Sequence, residues 1–430
     1  MNQIPYPSPQ QKRWQEVGLG LFCHFGINTF NNKEWSAGDL DPATFDPQKF
    51  DARQWAKFAH QAGFRYLVFT AKHHDGFCLW PTSTTEYSVK SSPCRIDIVG
   101  EVAQACREVG IHFGLYLSPW DRNAACYDDK ESYDRFYIQQ LTELCTNYGE
   151  LFEIWLDGAG SEGRVYNWDA IMQVIDTHQP NAVIFNMGRP TIRWIGNENG
   201  LAKDPCYYAA SQTSVSAFTE AEDSLGEDKI YIPPECDVAV RRNWFWQDDD
   251  LETLKTKEHL LGIWYRSIGF GTNLLLNLGP NRDGLLDEYD TARVLEVTRE
   301  IERRFAHPFA AMITPTPTGC DLEFDTGPDR EIIFDHLVLR ENYSKGQLIN
   351  GYRVLDENGA EITQGHTIGH QKWHAFAKNS ARKLRVEWGE DCLPNARLCG
   401  AEIYLTGHET LPELGAPIDY SDPWKVKLDA

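Results

Sequence analysis

The sequence lacks an excess of positive charge and long apolar runs. Its 41 lysines and arginines face 63 aspartates and glutamates, so the formal net charge is −22. Such a chain repels nucleic acids and anionic membrane surfaces, which excludes both as partners. No stretch approaches the roughly 20 apolar residues that cross a bilayer, so we expect no membrane span. Neutral ligands, sugars among them, fit this charge.

Paired cysteines and a charged leader are missing as well. The 11 cysteines are odd in number and scattered, often within apolar segments, and no CxxC spacing suggests zinc. We therefore expect buried free thiols. The N-terminus has neither the basic nor the apolar region of a secretory signal. We expect a cytoplasmic protein, or a secreted one if a signal has been removed.

A chain of 430 residues is long enough for two domains. In the first, apolar runs alternate with amphipathic helical patterns, which is typical of parallel βα units buried on both faces. Six runs stand out, at 18–24, 64–71, 111–118, 151–157, 182–187 and 272–279. We predict a (β/α)8-like barrel over residues 1–307, with two strands inferred and a site at the carboxyl ends of the strands.

The pattern changes after a helix expected near 289–305. Short β-rich runs separated by turn signals follow, and the segment Asp356–Gly359 has the composition of a hairpin turn. We predict an antiparallel β-sandwich over residues 308–430, with an irregular tail after about residue 407. Tyr420 and Trp424 in this tail are candidate contacts for a homo-oligomer, and a flexible end is equally compatible with the sequence.

Polar and aromatic side chains follow the predicted strands where each strand ends. Because parallel strands place their carboxyl ends at one mouth, we expect these side chains to surround one pocket. Imidazoles exchange hydrogen bonds with hydroxyls, and indole rings cover the apolar face of a pyranose, so the pocket favours a polyhydroxylated ligand. One histidine at a strand end is more often structural, but four such ends favour a site. The residues are His24, His73, His74, Asp75, Tyr116, Trp120, Asp121, Trp155 and Asp157.

Asp157 is the single most informative position for the chemistry. It closes a buried run and precedes Gly158, where the backbone turns. A turn or helix-capping aspartate would look the same in this segment alone. A glycosidase needs two carboxyl groups that flank the scissile bond. One is ionised and attacks the anomeric carbon, and the other is protonated and donates to the leaving oxygen.

A metal centre is the main rival explanation for the histidines. Metal-binding barrels typically present His-x-His on a strand, so that both rings point inward. His73 and His74 are adjacent, and on a regular strand they would point to opposite faces. No cysteine pairing supports a metal either, so we predict no metal and no cofactor.

Six blocks of the sequence occur in the order found in a known enzyme family. They are residues 24–26, 34–35, 71–80, 115–121, 155–158 and 273–280. Together they resemble glycoside hydrolase family 29, the α-L-fucosidases, over roughly residues 10–405. The resemblance implies that Asp157 is the nucleophile of a retaining hydrolase. It also implies fucose contacts from His24, Glu34, Trp35, His73, His74, Tyr116 and Trp155.

Further segments resemble one subfamily, which prefers α-1,3/1,4-linked fucose on branched oligosaccharides. They are residues 193–200, 234–246, 367–370 and 381–385. The resemblance implies a fucosylated oligosaccharide as the substrate. Within the second segment, Asp237 and Arg241 are candidate substrate-binding residues.

The acid/base residue has three candidates. Glu198 lies 41 positions beyond Asp157 (198 − 157) and is the first choice. Many members of the resembling family carry a Glu-Trp pair slightly further on, and the matching place here reads Cys206-Tyr207. Glu235 is the second candidate, with a substrate-binding role as its alternative, and Asp204 is the third.

Two other functions stay open. A degenerate barrel could bind fucose without cleaving it, as the missing Glu-Trp pair would suggest, although the intact Asp157 weighs against this reading. The site could also serve a related sugar with the same hydroxyl stereochemistry, such as a galactoside.

Overall fold

The computed structural model describes residues 4–226, 228–325 and 331–415. Tyr420 and Trp424, the candidate oligomer contacts, lie outside the described residues. The helices are α1 Pro9–Val17, α2 Ile27–Phe30, α3 Ala52–Gln61, α4 Ile98–Val109, α5 Lys130–Asn147, α6 Trp168–His178, α7 Lys257–Arg266 and α8 Glu288–Phe305.

The strands form two large sheets and one small one. In the first half of the chain they are β1 Leu19–Cys23, β2 Tyr66–Lys72, β3 His112–Leu117, β4 Glu153–Trp155, β5 Val183–Phe185, β6 Arg193–Trp194, β7 Ala209–Ala210, β8 Ile230–Tyr231, β9 Pro234–Ala239 and β10 Asn273–Asn277. In the second half they are β11 Phe309–Thr316, β12 Gly319–Phe324, β13 Ile332–Glu341, β14 Tyr352–Leu355, β15 Glu361–Gly365, β16 Lys372–Ala381, β17 Lys383–Trp388 and β18 Leu398–Tyr404.

The first large sheet is parallel and returns on itself. Its order is β5-β4-β3-β2-β1-β10-β9-β6, and a parallel bridge between Phe185 and Ile192 joins the two ends. Each of the six predicted runs overlaps a strand, and the two inferred strands are β6 and β9. The predicted (β/α)8-like barrel is therefore confirmed.

The helices around the barrel follow from capping and amphipathicity. Helix α4 begins at the side chain of Asp97, which accepts a 2.9 Å hydrogen bond from the amide of Gly100, and ends at Gly110, whose φ of 77° suits glycine. Its buried face includes Ile98, Val102 and Cys106, as the 3.6-residue spacing predicts. Between β5 and β9 the described chain has no α-helix, and long loops there border the mouth of the barrel.

The second large sheet is antiparallel and folds over its own core. Strand β11 pairs with β18 at Phe309 and Ala310 and with β12 along the rest of its length, so it belongs to both halves. The predicted hairpin turn joins β14 to β15, and the amide of Asp356 donates to the carbonyl of Ala360. The predicted antiparallel sandwich is confirmed. The boundary expected at residues 307 and 308 falls between α8 and β11.

Polar contacts join the two parts of the chain. The ammonium of Lys372 on β16 lies 2.9 Å from the carboxylate of Asp204, in the loop between β6 and β7. The hydroxyl of Tyr265 on α7 lies 3.0 Å from Nε2 of His336 on β13. No helix among the described residues is both long and apolar enough to cross a membrane.

Candidate active site

A cavity of about 600 Å³ opens at the carboxyl ends of the barrel strands. This volume is in the range of small-ligand sites. The cavity brings together nine of the residues singled out in the sequence. They are His24, Glu34, Trp35, His73, His74, Trp155, Asp157, Glu198 and Asp237.

Asp157 lies in this cavity two residues beyond the end of β4. Its Oδ2 accepts a 3.0 Å hydrogen bond from the hydroxyl of Tyr116, and its Oδ1 accepts a 2.9 Å bond from the amide of Ala159. Its side chain keeps 23% of its surface exposed. Burial raises the pKa of Asp157 above its ordinary value, and the two hydrogen bonds oppose that shift. The carboxylate is thus held in place while it remains accessible to a ligand.

Tyr116 does not line the cavity but supports the residues that do. Its ring stacks between His73 and Trp155, with centroid distances of 5.6 and 5.4 Å. It lies near the carboxyl end of β3, beside β4, and so its hydroxyl reaches Asp157. Tyr116 therefore fixes the rotamer of this carboxylate.

His24 follows β1 and is held by Asn277 at the end of β10. Its Nδ1 lies 2.9 Å from the side-chain oxygen of Asn277, whose amide nitrogen donates to the carbonyl of Trp244. Burial lowers the pKa of His24 to about 3, so the ring is neutral. The oxygen of Asn277 requires the ring proton on Nδ1, which leaves Nε2 as an acceptor for a sugar hydroxyl.

His74 is also a neutral acceptor at its Nε2 atom. Its Nδ1 lies 2.7 Å from the hydroxyl of Ser118, which itself donates to the carbonyl of Trp120. The imidazole must therefore donate from Nδ1, and burial lowers its pKa to about 3. Its Nε2 lies 3.5 Å from Oδ2 of Asp157. A hydroxyl group bound here would have two acceptors within reach.

His73 and His74 line the same cavity, with ring centroids 4.1 Å apart. The alternation of a regular strand does not apply to them, because both residues follow Lys72, the last residue of β2. Because both rings face the same cavity, a metal site would depend on whether other ligands lie near them. Among the described residues, no group of three or more His, Cys, Asp and Glu side chains could hold a metal ion.

Glu34 and Trp35 enter the cavity from the loop after α2. The carboxylate of Glu34 accepts hydrogen bonds of 3.0 to 3.2 Å from the amides of Trp244 and Phe245. Trp35 meets the ring of His74 edge-on at 5.1 Å. Glu34 thus ties this loop to the one after β9, so both loops shape one wall.

Glu198 and Asp237 supply two further carboxyl groups of the cavity. Glu198 is half-buried in the loop after β6, and Asp237 is 2% exposed on β9. Burial, with added repulsion from Glu198, Glu235 and Asp157, raises the pKa of Asp237 well above its ordinary value. Its Oδ1 has no hydrogen-bond partner among the described residues. When protonated, Asp237 can donate to a ligand oxygen, and Glu198 lines the same cavity.

Asp75, Trp120 and Asp121, like Tyr116, do not line the cavity, and the same is true of three further candidates, Glu235, Arg241 and Asp204. Glu235 is fully buried in the barrel interior, where it accepts hydrogen bonds from Trp155 and Tyr66. The guanidinium of Arg241 pairs with three carboxylates, those of Asp250, Asp287 and Asp290. Asp204 is bound to Lys372, as described above.

Several lining residues were not singled out in the sequence. Asn186 follows the end of β5, and the rule that found the other residues would have found it too. It has a φ of 74°, and its Oδ1 is buried without a partner among the described residues. Five more come from loops that carry no strand signal. They are Glu162, Asn197, Asn199, Phe218 and Trp244.

Known proteins share this architecture. The family model described as alpha-L-fucosidase matches residues 5–303. Alpha-L-fucosidase 1 of Arabidopsis thaliana is 44% identical over 311 residues, which cover 70% of this chain and 60% of that protein. The chain thus spans less than two thirds of that relative.

Two solved structures match over nearly the whole chain. A glycoside hydrolase family 29 member from an unknown rumen bacterium is 32% identical, with a TM-score of 0.85, and the match covers 97% of this chain and 79% of that one. A Ruminococcus gnavus family 29 fucosidase in complex with fucose is 28% identical, with a TM-score of 0.81, and the match covers 94% and 95% of the two chains.

Proposed function

The chain belongs to the α-L-fucosidase family of glycoside hydrolases, and on that premise we propose that it hydrolyses terminal α-L-fucosides with retention of configuration. The observation that carries this proposal is the placement of Asp157. Its carboxylate lies at the carboxyl end of a barrel strand, fixed by two donors and half-buried in a cavity that also contains Glu198. The substrate is a fucosylated oligosaccharide or glycoconjugate.

The first chemical step forms a covalent intermediate. An oxygen of Asp157 attacks the anomeric carbon, the glycosidic bond breaks, and the departing oxygen takes a proton from Glu198. The product is a β-fucosyl ester of Asp157. Tyr116 holds Oδ2 of this carboxylate at 3.0 Å, which leaves little freedom to lose on attack.

The second step reverses these roles. Glu198, now ionised, takes a proton from water, and the water oxygen attacks the anomeric carbon from the face that the aglycone left. The ester bond to Asp157 breaks and α-fucose is released. Glu198 is preferred over Glu235 in this role because Glu235 is fully buried and absent from the cavity lining.

Hydroxyl recognition follows from the protonation states in the cavity. Neutral His24 and His74 offer acceptor nitrogens, and Asp237, whose pKa is raised by burial, offers a donor whenever it is protonated. Indole rings of Trp35, Trp155, Trp194 and Trp244 line the walls. A neutral sugar with several hydroxyls and one apolar face suits this lining.

Preference for α-1,3/1,4-linked fucose on a branched acceptor is part of the proposal. The segments 193–200 and 234–246, which carry the resemblance to that subfamily, both contribute to the cavity. They supply Trp194, Gly196, Asn197, Glu198, Asn199, Asp237 and Trp244. An acceptor sugar leaving the anomeric carbon would meet these residues.

Rescue by azide tests the two carboxyl roles separately. We expect Asp157→Gly to abolish turnover of an aryl α-L-fucoside and, with azide, to give a β-fucosyl azide. We expect Glu198→Ala with azide to give an α-fucosyl azide, because azide then attacks the ester of Asp157. Asp204→Ala is the matched control and should need no rescue. An α-azide from Asp204→Ala or Glu235→Ala, with none from Glu198→Ala, would reassign the acid/base.

A substrate panel tests the linkage. Fucose release should be much faster from an α-1,3- or α-1,4-fucosylated branched trisaccharide than from a linear 2′-fucosylated one. Equal rates would remove the linkage preference. Faster turnover of an α-galactoside than of any fucoside would replace the proposed substrate, and binding without turnover would favour a non-catalytic fucose-binding protein.

A further inference from the structure

Two glutamates face each other inside the barrel, outside the cavity lining. Glu153 is the first residue of β4 and Glu235 is the second residue of β9, and neither has any exposed surface. Their carboxyl groups lie within hydrogen-bonding contact of each other. Two ionised carboxylates in direct contact repel each other strongly in a medium of low dielectric constant.

Neutral donors account for three of the four oxygens. Trp14 on α1 donates to Oε2 of Glu153 over 3.0 Å, and Tyr66 on β2 donates to Oε2 of Glu235 over 2.9 Å. Trp155 donates to Oε1 of Glu235 over 3.1 Å. Oε1 of Glu153 has no donor among the described residues. A proton held between the two carboxyl groups would give this fourth oxygen a hydrogen-bond partner.

No lysine or arginine in the described part of the chain forms an ion pair with either glutamate. The titratable groups that interact with Glu235 include the hydroxyl of Tyr66, the thiol of Cys236 and the carboxyl of Asp237. A buried pair of this kind stays ionised only if a cation or many donors stabilise it. Burial therefore raises the pKa of both glutamates.

We propose that Glu153 and Glu235 share one proton and act as a positioning pair that fixes the indole of Trp155 in the cavity wall. With one proton and one negative charge, every oxygen of the pair has a hydrogen-bond partner. The accepting oxygen of Glu235 then holds the N–H of Trp155, which only one orientation of the ring allows.

The pair reaches the reacting groups through packed rings. Trp155 stacks on Phe185 at 4.0 Å and on Tyr116 at 5.4 Å. Tyr116 in turn donates to Asp157, the proposed nucleophile. Loss of the bond from Trp155 to Glu235 would free the indole to tilt and would loosen this stack. The kinetic consequence rests on the proposed function, whereas the shared proton does not.

The proton is tested without any substrate. Neutron diffraction from crystals of the wild-type protein at neutral pH should show one deuterium between the two carboxyl groups. It should also show deuterium on the indole nitrogen of Trp155, directed at Glu235. A pair with no deuterium between its carboxyl groups would overturn the proposal.

A double-mutant cycle tests the positioning role with an aryl α-L-fucoside. We expect Glu235→Leu to lower kcat/KM about tenfold and Trp155→Phe, which lacks the N–H, to lower it by a similar factor. The double variant should be no worse than Trp155→Phe, since both changes break one bond. Additive losses would overturn the role.

Two further variants separate this role from loss of stability. In Glu153→Gln the amide can donate where the proton was, so this conservative variant should keep kcat/KM within about threefold of wild type. Glu341→Gln is the matched control, because Glu341 is a buried carboxylate of the second domain that accepts backbone amides. If Glu153→Gln lost as much activity as Glu235→Leu, the shared proton would not explain the positioning. A wild-type protein inactive on fucosides would refute the proposed function and leave the diffraction test intact.

Discussion

Replacing Tyr116 by phenylalanine removes one hydrogen bond from Asp157 and keeps the stacked ring. The hydroxyl of Tyr116 is one of two donors to this carboxylate, at 3.0 Å, and the amide of Ala159 is the other, at 2.9 Å. Both favour the ionised form and oppose the burial that raises the pKa of Asp157. In the variant, Asp157 should therefore stay protonated to a higher pH than in the wild-type enzyme.

The size of the effect follows from the loss of one bond to a charged group. Such a bond contributes about 1.5 to 3 kcal/mol, and a change of about 1.4 kcal/mol corresponds to one pH unit. The side chain of Asp157 is 23% exposed, so water replaces part of the lost bond. We expect the acid limb of kcat/KM to move up by about one pH unit, because attack requires the ionised carboxylate.

The assay is the pH profile of kcat/KM for an aryl α-L-fucoside with a good leaving group. Tyr137→Phe is the control, since its buried hydroxyl donates to the carbonyl of Leu117 and does not reach the cavity. In the control variant, the acid limb of kcat/KM should stay at the wild-type pH even if the stability of the protein falls. An unshifted limb in Tyr116→Phe, or an equal shift in Tyr137→Phe, would refute the reasoning about Asp157.

Two predictions concern stability. Lys72→Met leaves the carboxylate of Asp121 buried without its cation, so it should lower the free energy of unfolding by about 3–5 kcal/mol. Breaking the exposed pair between Lys49 and Asp283 should lower it by only about 0–1 kcal/mol. Equal losses of the two variants in denaturant melts would contradict this prediction. The raised pKa of Glu153 makes the folded protein retain a proton that the unfolded chain releases above its ordinary pKa of 4.5. This contribution to stability is complete below that pH and is lost as the pH rises toward the raised value. The Tm of Glu153→Gln relative to wild type should therefore increase with pH, and a constant difference would argue against the shared proton.

Most of the barrel could be predicted from the sequence because its central strands are continuous apolar runs. Strands β6 and β9 could not. The former has two residues, and the latter carries Glu235 and Asp237, whose charges hide the signal of a buried strand. Glu235 has partners on distant strands, Tyr66 on β2 and Trp155 on β4, so only the three-dimensional structure shows its environment. Strand β11 carries little apolar signal because its residues are mostly exposed or half-buried.

The site was predictable where its residues follow strands. His24, His73, His74 and Asp157 come directly after a strand or within two residues of one, and all four line the cavity. Glu198 lies in a loop with no pattern of its own, so only the resemblance to a family pointed to it. The position of Arg241 among three carboxylates depends on residues up to 49 positions away, which no local pattern reveals.

The stereochemistry of the first product tests the central claim most directly. Proton NMR of the enzyme mixed with a branched α-1,3/1,4-fucosylated trisaccharide should show α-fucose first, with the β-anomer appearing only as mutarotation proceeds. That result would support a retaining fucosidase in which Asp157 is the nucleophile. Early β-fucose would contradict the account, because it would require direct attack by water with Asp157 acting as a base.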